Sequence, residues 1–270
     1  MTILKPFFVV IALVIVLIST STSLVSCSKT VTKTDTVTIH DTAYDLTSGL
    51  VGYYNFVNGN LNDSSGYHND IYFNNATKTA DRFGNVNSAY LFDGATTYMT
   101  VKSSLSMNPR EISIFAIIKV NGFYAGSCGG NQICSKGYPY YTNGFYDMGF
   151  FDFSHNCGII DSTNETFFGY YGDNNAGAGV VAYPVKIKKD QWYYLTYTYD
   201  GMTAKYYVDG VFQGSVDNAN SFTPNNNDVY IGKHENPAFQ YYFNGIIDEL
   251  RIYNRVLTPE IILKLNDLKY

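Results

Sequence analysis

From Leu50 onward, apolar residues fall into short runs, many alternating with polar ones at period two, and Gly, Asn, Asp and Ser separate the runs. Runs of this kind read as β-strands. The predicted strands are Leu50–Phe56, Ser88–Phe92, Tyr98–Val101, Ile112–Val120, Gln191–Tyr199, Ala204–Val208, Asp228–Gly232 and Tyr242–Tyr253. Ile112–Val120 (ISIFAIIKV) is nearly continuous in apolar character and is expected to be buried on both faces. Ser88–Phe92 and Tyr98–Val101 are expected to pair across Asp93-Gly94. Val208-Asp209-Gly210-Val211 predicts a two-residue hairpin, because a type I′ turn needs positive φ at both central positions and Asp-Gly supplies it. Helical spacing occurs only at Pro259–Leu268, where Ile261, Ile262, Leu265 and Leu268 share a face, Thr258 stands as N-cap and Pro259 opens the helix. Many short strands and one terminal helix predict an all-β sandwich or barrel.

The first 26 residues follow a different pattern. Lys5 precedes Phe7–Ile18, an unbroken apolar run of twelve residues. That is short of the roughly 20 residues a membrane span needs and matches the apolar region of an export signal. Leu24-Val25-Ser26-Cys27 then resembles the bacterial lipobox, in which cleavage precedes the cysteine and its thiol takes a lipid. The expectation is a signal peptide over 1–26, with Cys27 as lipidated anchor. Residues 27–47 are Thr-rich and almost free of aromatics, so they are expected to form a tether, with a short edge strand as the alternative. Residues 48–270 would be the folded domain. The chain is then an exported lipoprotein of the outer membrane or cell surface, touching the membrane through its lipid alone.

Composition narrows the partners. The net charge is −5, or −6 once Lys5 leaves with the leader, and there is no Lys/Arg run, so nucleic acid is not an expected partner. The chain holds 26 Tyr and 18 Phe against one Trp, which favours strands and half-wet surfaces. Beyond Cys27, Cys128, Cys134 and Cys157 lie in an oxidising compartment, and their odd number leaves one thiol unpaired. Their spacing fits no zinc pattern.

Five stretches together resemble the laminin-G-like, concanavalin A-type domains of bacterial surface proteins. They are GLVGYYNFVNGNLNDSSGYHND (49–70), AYLFDGATTYMTV (89–101), ISIFAIIKV (112–120), QWYYLTYTYDGMTAKYYVDGVFQG (191–214) and FNGIIDELRIYNRVLTPEII (243–262). The resemblance implies a two-sheet antiparallel β-sandwich, a jelly roll with a short C-terminal helix, whose concave face and loop rims often bind glycans. The Gly/Tyr/Cys-rich stretch 121–178 departs from a minimal domain and is expected to lengthen the loops between central strands. In some members of the family a calcium ion sits at one edge. Candidate oxygen ligands here are Asn62, Asp63, Asp70 and Asp248, with the first loop and the last strand meeting at that edge. The alternative gives Asp63 an Asx-turn before Ser64-Ser65-Gly66 and pairs Asp248 with Arg251. The resemblance also favours a Cys128–Cys157 disulfide, with Cys134 as a buried thiol, over a short Cys128–Cys134 loop.

Catalysis is disfavoured. Sandwich glycosidases place two carboxylates on one strand about 5–5.5 Å apart, but the five glutamates (Glu111, Glu165, Glu235, Glu249 and Glu260) are scattered. Asp248 and Glu249 are adjacent, so regular alternation sends them to opposite faces. The richest binding constellation is Gly137–Tyr146 (GYPYYTNGFY). Tyr138, Tyr140, Tyr141 and Tyr146 offer faces for sugar rings, and Asn131, Asn143, Asp147 and Asp152 offer hydrogen-bond partners. About half of these rings are expected to fill the core, and Trp192 is expected to pack rather than stack on ligand. The expected function is a non-catalytic, envelope-anchored carbohydrate-binding or adhesion module. A structural or protein-interaction lipoprotein holding another envelope protein is second, and a glycan-degrading enzyme third.

Overall fold

The computed structural model describes residues 44–126, 130–137, 142–151, 166–173, 181–185 and 187–268. Cys27, Cys128, Cys157, Tyr138, Tyr140, Tyr141 and Asp152 lie outside the described residues, as do residues 1–43, on which the expected leader and most of the expected tether fall. Two antiparallel sheets face each other. The first runs in the order β13 (Val211–Asp217), β12 (Thr203–Val208), β11 (Trp192–Tyr199), β6 (Ile112–Val120), β15 (Asn244–Tyr253), β4 (Ala89–Asp93) and β3 (Thr77–Thr79), and β1 (Leu50–Tyr54) also pairs with β15. The second runs β10 (Val181–Pro184), β9 (Thr166–Gly172), β8 (Phe145–Phe151), β7 (Asn131–Lys136), β14 (Val229–Ile231), β5 (Met99–Val101) and β2 (Ile71–Asn74). This is the sandwich that the resemblance implied.

Alternation along each strand sends one set of side chains between the sheets. Ile114, Ala116, Ile118, Tyr197, Ile247 and Leu250 from the first sheet meet Met99, Ile133, Tyr146, Met148, Phe150 and Ile231 from the second. Each fully buried Ile, Leu, Met or Phe among them contributes about 1.5–3 kcal/mol relative to exposure. The opposite face of β6 is also covered: Phe115 and Ile117 pack with Tyr207, Tyr253 and Leu257 against Ile262 and Leu265 of the helix α1 (Pro259–Asn266). β6 is therefore buried on both faces, as its continuous apolar run predicts. Trp192 is half-buried against this second cluster. Thr258 caps α1, its Oγ1 accepting the N–H of Ile261 at 3.5 Å. The β12–β13 hairpin turns at Asp209 and Gly210 with φ of 50° and 75°, both positive as required.

Three expectations change. Ser88–Phe92 and Tyr98–Val101 do not pair, because β4 belongs to the first sheet and β5 to the second. Asp93-Gly94 is an arch between sheets rather than a hairpin, and Asp93 holds it by accepting the N–H groups of Ala95, Thr96 and Thr97. Burial raises the Asp93 carboxyl, but these bonds and the Thr96 hydroxyl outweigh burial and hold it below the usual carboxylate range. The stretch 121–178 does more than extend loops, since it supplies β7, β8 and β9. Residues 45–47, assigned to the tether, are fastened to the sandwich: Arg255 donates to the carbonyls of Asp45 and of the adjoining Ser48, and the Tyr253 hydroxyl to that of Leu46.

One irregularity shapes the surface. β15 pairs with β4 through Asn244–Ile247 and with β1 through Leu250–Tyr253, so its neighbour changes at Asp248-Glu249. The register with β6 slips at the same place: Ile247 faces Ile118 and Glu249 faces Ile117, leaving Asp248 as the extra residue of a β-bulge.

Candidate functional site

The outer face of the seven-stranded sheet carries one register row across six strands. Phe73 on β2 lies opposite Thr100 on β5, Thr100 opposite Tyr230 on β14, Tyr230 opposite Ser135 on β7, Ser135 opposite Asp147 on β8, and Asp147 opposite Tyr170 on β9. At about 4.8 Å per strand the row spans roughly 24 Å. A β-bulge between Ile71 and Phe73 turns Tyr72 outward as well, so both aromatics of β2 are exposed.

The row has an open end and a covered end. At the open end the Phe73 ring lies 4.9 Å from Tyr98, and Tyr98 lies 6.1 Å from Tyr230, centroid to centroid. Lys233 Nζ stands 4.3 Å from the Tyr98 centroid and 4.9 Å from that of Tyr230. Lys102 covers Tyr72 at 4.2 Å, while the Tyr72 hydroxyl donates to Asp228 at 2.6 Å. At the covered end His234 folds back from the segment after β14. Its Nδ1 accepts the N–H of Asn236 at 3.1 Å, which leaves the proton on Nε2 to be donated to Asp147 Oδ2 at 3.2 Å. Glu235 accepts from Asn227 Nδ2 at 2.6 Å, and burial raises its carboxyl above the usual range, with the Asp147 charge adding to the rise. Asp147 Oδ1 and Glu235 Oε2 are buried without a donor among the described residues. Beside them Lys136 is fully buried, its Nζ donating to the carbonyl and side-chain oxygens of Asn225, and desolvation pulls its pKa down to about 8.

The residues singled out from the sequence divide by parity. On β8, Phe145, Asp147 and Phe151 face outward, whereas Tyr146, Met148 and Phe150 enter the core. Asp147 is therefore on the candidate face, and Tyr146 is not. The Tyr146 ring is wholly buried and offers no surface to a sugar. Asn131 is buried and occupied, donating to the Gly122 carbonyl and accepting the Asn244 N–H, so it pins two loops instead of meeting ligand. Asn143 is exposed at the turn before β8, where its carbonyl accepts from Asn225. Sequence reasoning missed Phe73, Tyr98, Tyr230, Lys233 and His234. Val229-Tyr230-Ile231 did carry a signal, since two core residues around a Tyr send that ring outward.

The four candidate calcium ligands do not form a cradle. Asp63 Oδ1 accepts the N–H groups of Tyr53 and Ser65, and Oδ2 accepts the Asn69 N–H and the Ser65 hydroxyl. Asp70 accepts the Asp63 N–H at 2.7 Å, and Asn62 is exposed. These donors occupy both oxygens of Asp63, which makes the Asx-turn that was the alternative. Asp248 carries a guanidinium, but from Arg82 and not from Arg251; Arg251 pairs with Glu249. No group of three or more His, Cys, Asp or Glu suited to a metal occurs among the described residues. Cys134 is a buried free thiol, and desolvation pushes its pKa up.

Asp248 and Glu249 do not obey alternation. The bulge turns both onto the outer face of the eight-stranded sheet, where they line one cavity of about 420 Å³. Arg82 on Asp248 and Arg251 on Glu249 neutralise them there, each contact at 2.5 Å.

Comparison with known proteins gives three results. The profile of the concanavalin A-like lectin/glucanases superfamily, laminin G type, matches residues 93–263. No curated protein matches the chain. Among solved structures, domain 4 of a GH43 extracellular arabinanase from Geobacillus stearothermophilus, in complex with arabinotriose, is similar at a TM-score of 0.57 and 20% identity, with 81% of this chain and 98% of that one covered. The binding domain of Paraclostridial Mosquitocidal Protein 1 gives 0.60 and 12%, over 82% of this chain and 52% of that one. The binding domain of botulinum neurotoxin serotype D gives 0.58 and 14%, over 82% and 51%. The chain thus spans about half the length of the two toxin domains, and at these identities the likeness is one of fold.

Proposed function

We propose, because this chain belongs to the concanavalin A-like lectin/glucanase superfamily, that it is a glycan-binding module without catalytic activity and that its ligand lies along the outer face of the seven-stranded sheet. The observation that carries this reading is the open strip of rings Phe73–Tyr98–Tyr230, extended by Tyr72 and flanked by Lys233. Sugar rings present apolar C–H faces to such a strip while their hydroxyls bond to its polar neighbours. The arabinanase domain of similar fold was solved with arabinotriose, which supports an oligosaccharide as ligand here. Binding rather than hydrolysis is supported by the state of the acids: Asp248 and Glu249 are each held by an arginine, and Asp147 is buried against His234. Presentation at the cell envelope through a lipid on Cys27 belongs to the same proposal and rests on the leader and lipobox of the sequence.

A glycan array probed with the protein tests the reading. Binding to one glycan class should weaken about tenfold, equivalent to ~1.4 kcal/mol, in Tyr230→Ala or Tyr98→Ala. A blank array with folded protein would turn the argument toward an envelope protein as partner. Release of shortened glycan from the array would turn it toward an enzyme.

A further inference from the structure

The cavity beneath Asp248 and Glu249 lies on the face of the sandwich opposite the ring strip. It opens where β4 ends its pairing with β15 and β1 begins, and the loops at Asn55–Asn58 and Asp81–Ser88 wall it. Its volume of about 420 Å³ sits toward the lower end of the ~300–1,000 Å³ typical of small-molecule sites. That suits one ring with its substituents and excludes an extended chain.

The walls are set before any ligand arrives. Asp81 Oδ1 accepts the N–H groups of Phe83 and Asn85 at 2.8 Å each, and Oδ2 accepts from Asn85 Nδ2 at 2.8 Å. Asn55 Oδ1 accepts the Val57 N–H at 3.2 Å, and the Asn58 N–H reaches Ser88 Oγ at 3.4 Å. Phe56, Asn58 and Asn87 all take left-handed φ values, 53°, 56° and 58°, although none is glycine. Such conformations cost about 1–3 kcal/mol each and persist only where the surroundings enforce them.

The charges of the lining are already answered. Asp248 has Arg82, Glu249 has Arg251, and Asp81 has three N–H donors. An anionic ligand would lose its hydration among three carboxylates, with the one lining arginine already held by Asp248. What faces the space is a mixture of amides, from Asn55, Asn58 and Asn85, and apolar surface. Phe83 is 46% exposed, with the Arg82 guanidinium carbon 4.4 Å from its ring centroid, and Val57 and Val86 are 45% and 74% exposed. Amides beside an aromatic ring fit a small molecule that has hydroxyls at its edge, C–H groups on its face and no net charge.

We propose that this cavity is a second ligand site, separate from the ring strip, and that it takes a single neutral sugar residue. The site does not rest on the glycan-binding face, since its walls belong to the other sheet and to other loops.

The test uses neutral methyl pentosides, methyl hexosides and methyl N-acetylhexosaminides as probes, observed by saturation-transfer NMR on the full chain. The protein carries Tyr230→Ala, which disables the strip. At least one probe should still bind, and adding Phe83→Ala should weaken it about tenfold or more. Asn85→Ala should act in the same direction. Both residues are exposed enough for the fold to survive, and matching thermal melts check that it does. Binding that vanishes with Tyr230→Ala alone, or that ignores both Phe83→Ala and Asn85→Ala, overturns the second site. Stronger binding of glucosamine or glucuronate than of the neutral glycosides overturns the assigned ligand class. Failure of the ring-strip proposal leaves a different signature, because the array binding of the unmutated protein would then be insensitive to Tyr230→Ala.

Discussion

Removing either partner of the Arg82–Asp248 pair should cost far more than removing both. The two side chains are 5% and 4% exposed, so neither charge has water to fall back on. Arg82 also donates to the Leu268 carbonyl at 3.4 Å, and Asp248 also accepts the Arg82 backbone N–H at 3.2 Å. Burial alone raises the Asp248 carboxyl, and even with Arg82 opposing this it stays above its ordinary value. The pair therefore contributes little net stability, and the penalty falls on a variant that strands one charge. Arg82→Met or Asp248→Leu alone should lose about 3–5 kcal/mol. For a folded unit of this size that corresponds to a fall in Tm of roughly 6–20 °C, at ~2–4 °C per kcal/mol. Arg82→Met with Asp248→Leu removes both charges and should lose less than either single variant, giving a coupling of more than ~3 kcal/mol. Urea unfolding of the four proteins measures the cycle. Losses that add within ~0.5 kcal/mol, or single losses below ~1 kcal/mol as for an exposed pair, would refute the buried-pair reasoning.

Three further outcomes follow from the core. Tyr171→Phe strands the Pro109 carbonyl that its hydroxyl serves and should cost about 1–3 kcal/mol, with faster amide exchange around residues 107–112 as the local readout. Gly169→Ala would set a Cβ 2.3 Å from the Tyr197 ring and should cost about 1–3 kcal/mol or more, whereas Gly84→Ala, with nothing within 4 Å of the added carbon but a φ of +86°, should lose only about 1–2 kcal/mol; equal losses in urea would contradict the packing. Lys136 has a folded-state pKa of about 8 against an ordinary 10.5, so between those values the unfolded chain binds the extra proton and stability rises with pH. The rise should approach ~3 kcal/mol and be absent in Lys136→Met. Above about pH 10 the buried phenols of Tyr54, Tyr146 and Tyr197, which burial pushes well above their ordinary value, ionise first in the unfolded chain and reverse the trend. A urea midpoint that is flat or falling between pH 8 and 10 in the unmutated protein would count against the buried lysine.

The sequence carried the local rules well. Asp209-Gly210 announced its hairpin, Thr258-Pro259 its helix and ISIFAIIKV its two-sided burial, because each is fixed by residues close in the chain. What escaped depended on strand neighbours. Tyr146 reads as well as Asp147 for ligand contact until the register of β8 is known, and a shift of one residue exchanges the two faces. Asp248 and Glu249 were assigned to opposite faces by regular alternation, and only the change of partner along β15 shows that a bulge interrupts it. Arg82 is 166 residues from Asp248, and nothing near either residue announces the pair. The ring strip gathers Phe73, Tyr98 and Tyr230 from three strands, so no window of the sequence displays it.

The place of β15 also has a meaning for the order in which the protein can fold. Among the described strands it is synthesised last, yet it lies between β6 on one side and β4 and β1 on the other. Until residue 253 is available, those three strands have bare backbone edges where their partner will be, and the partners of β1 lie some 200 positions away. Closing a loop of that length gains nothing until its last residues arrive, so assembly is expected to be slow and late. The intermediate with bare edges is the species most prone to pair with a neighbouring chain. A chain cut short before β15 would not be a smaller version of this sandwich. Its first sheet would be left as two pieces, β13-β12-β11-β6 and β4-β3, with β1 deprived of its strand partner.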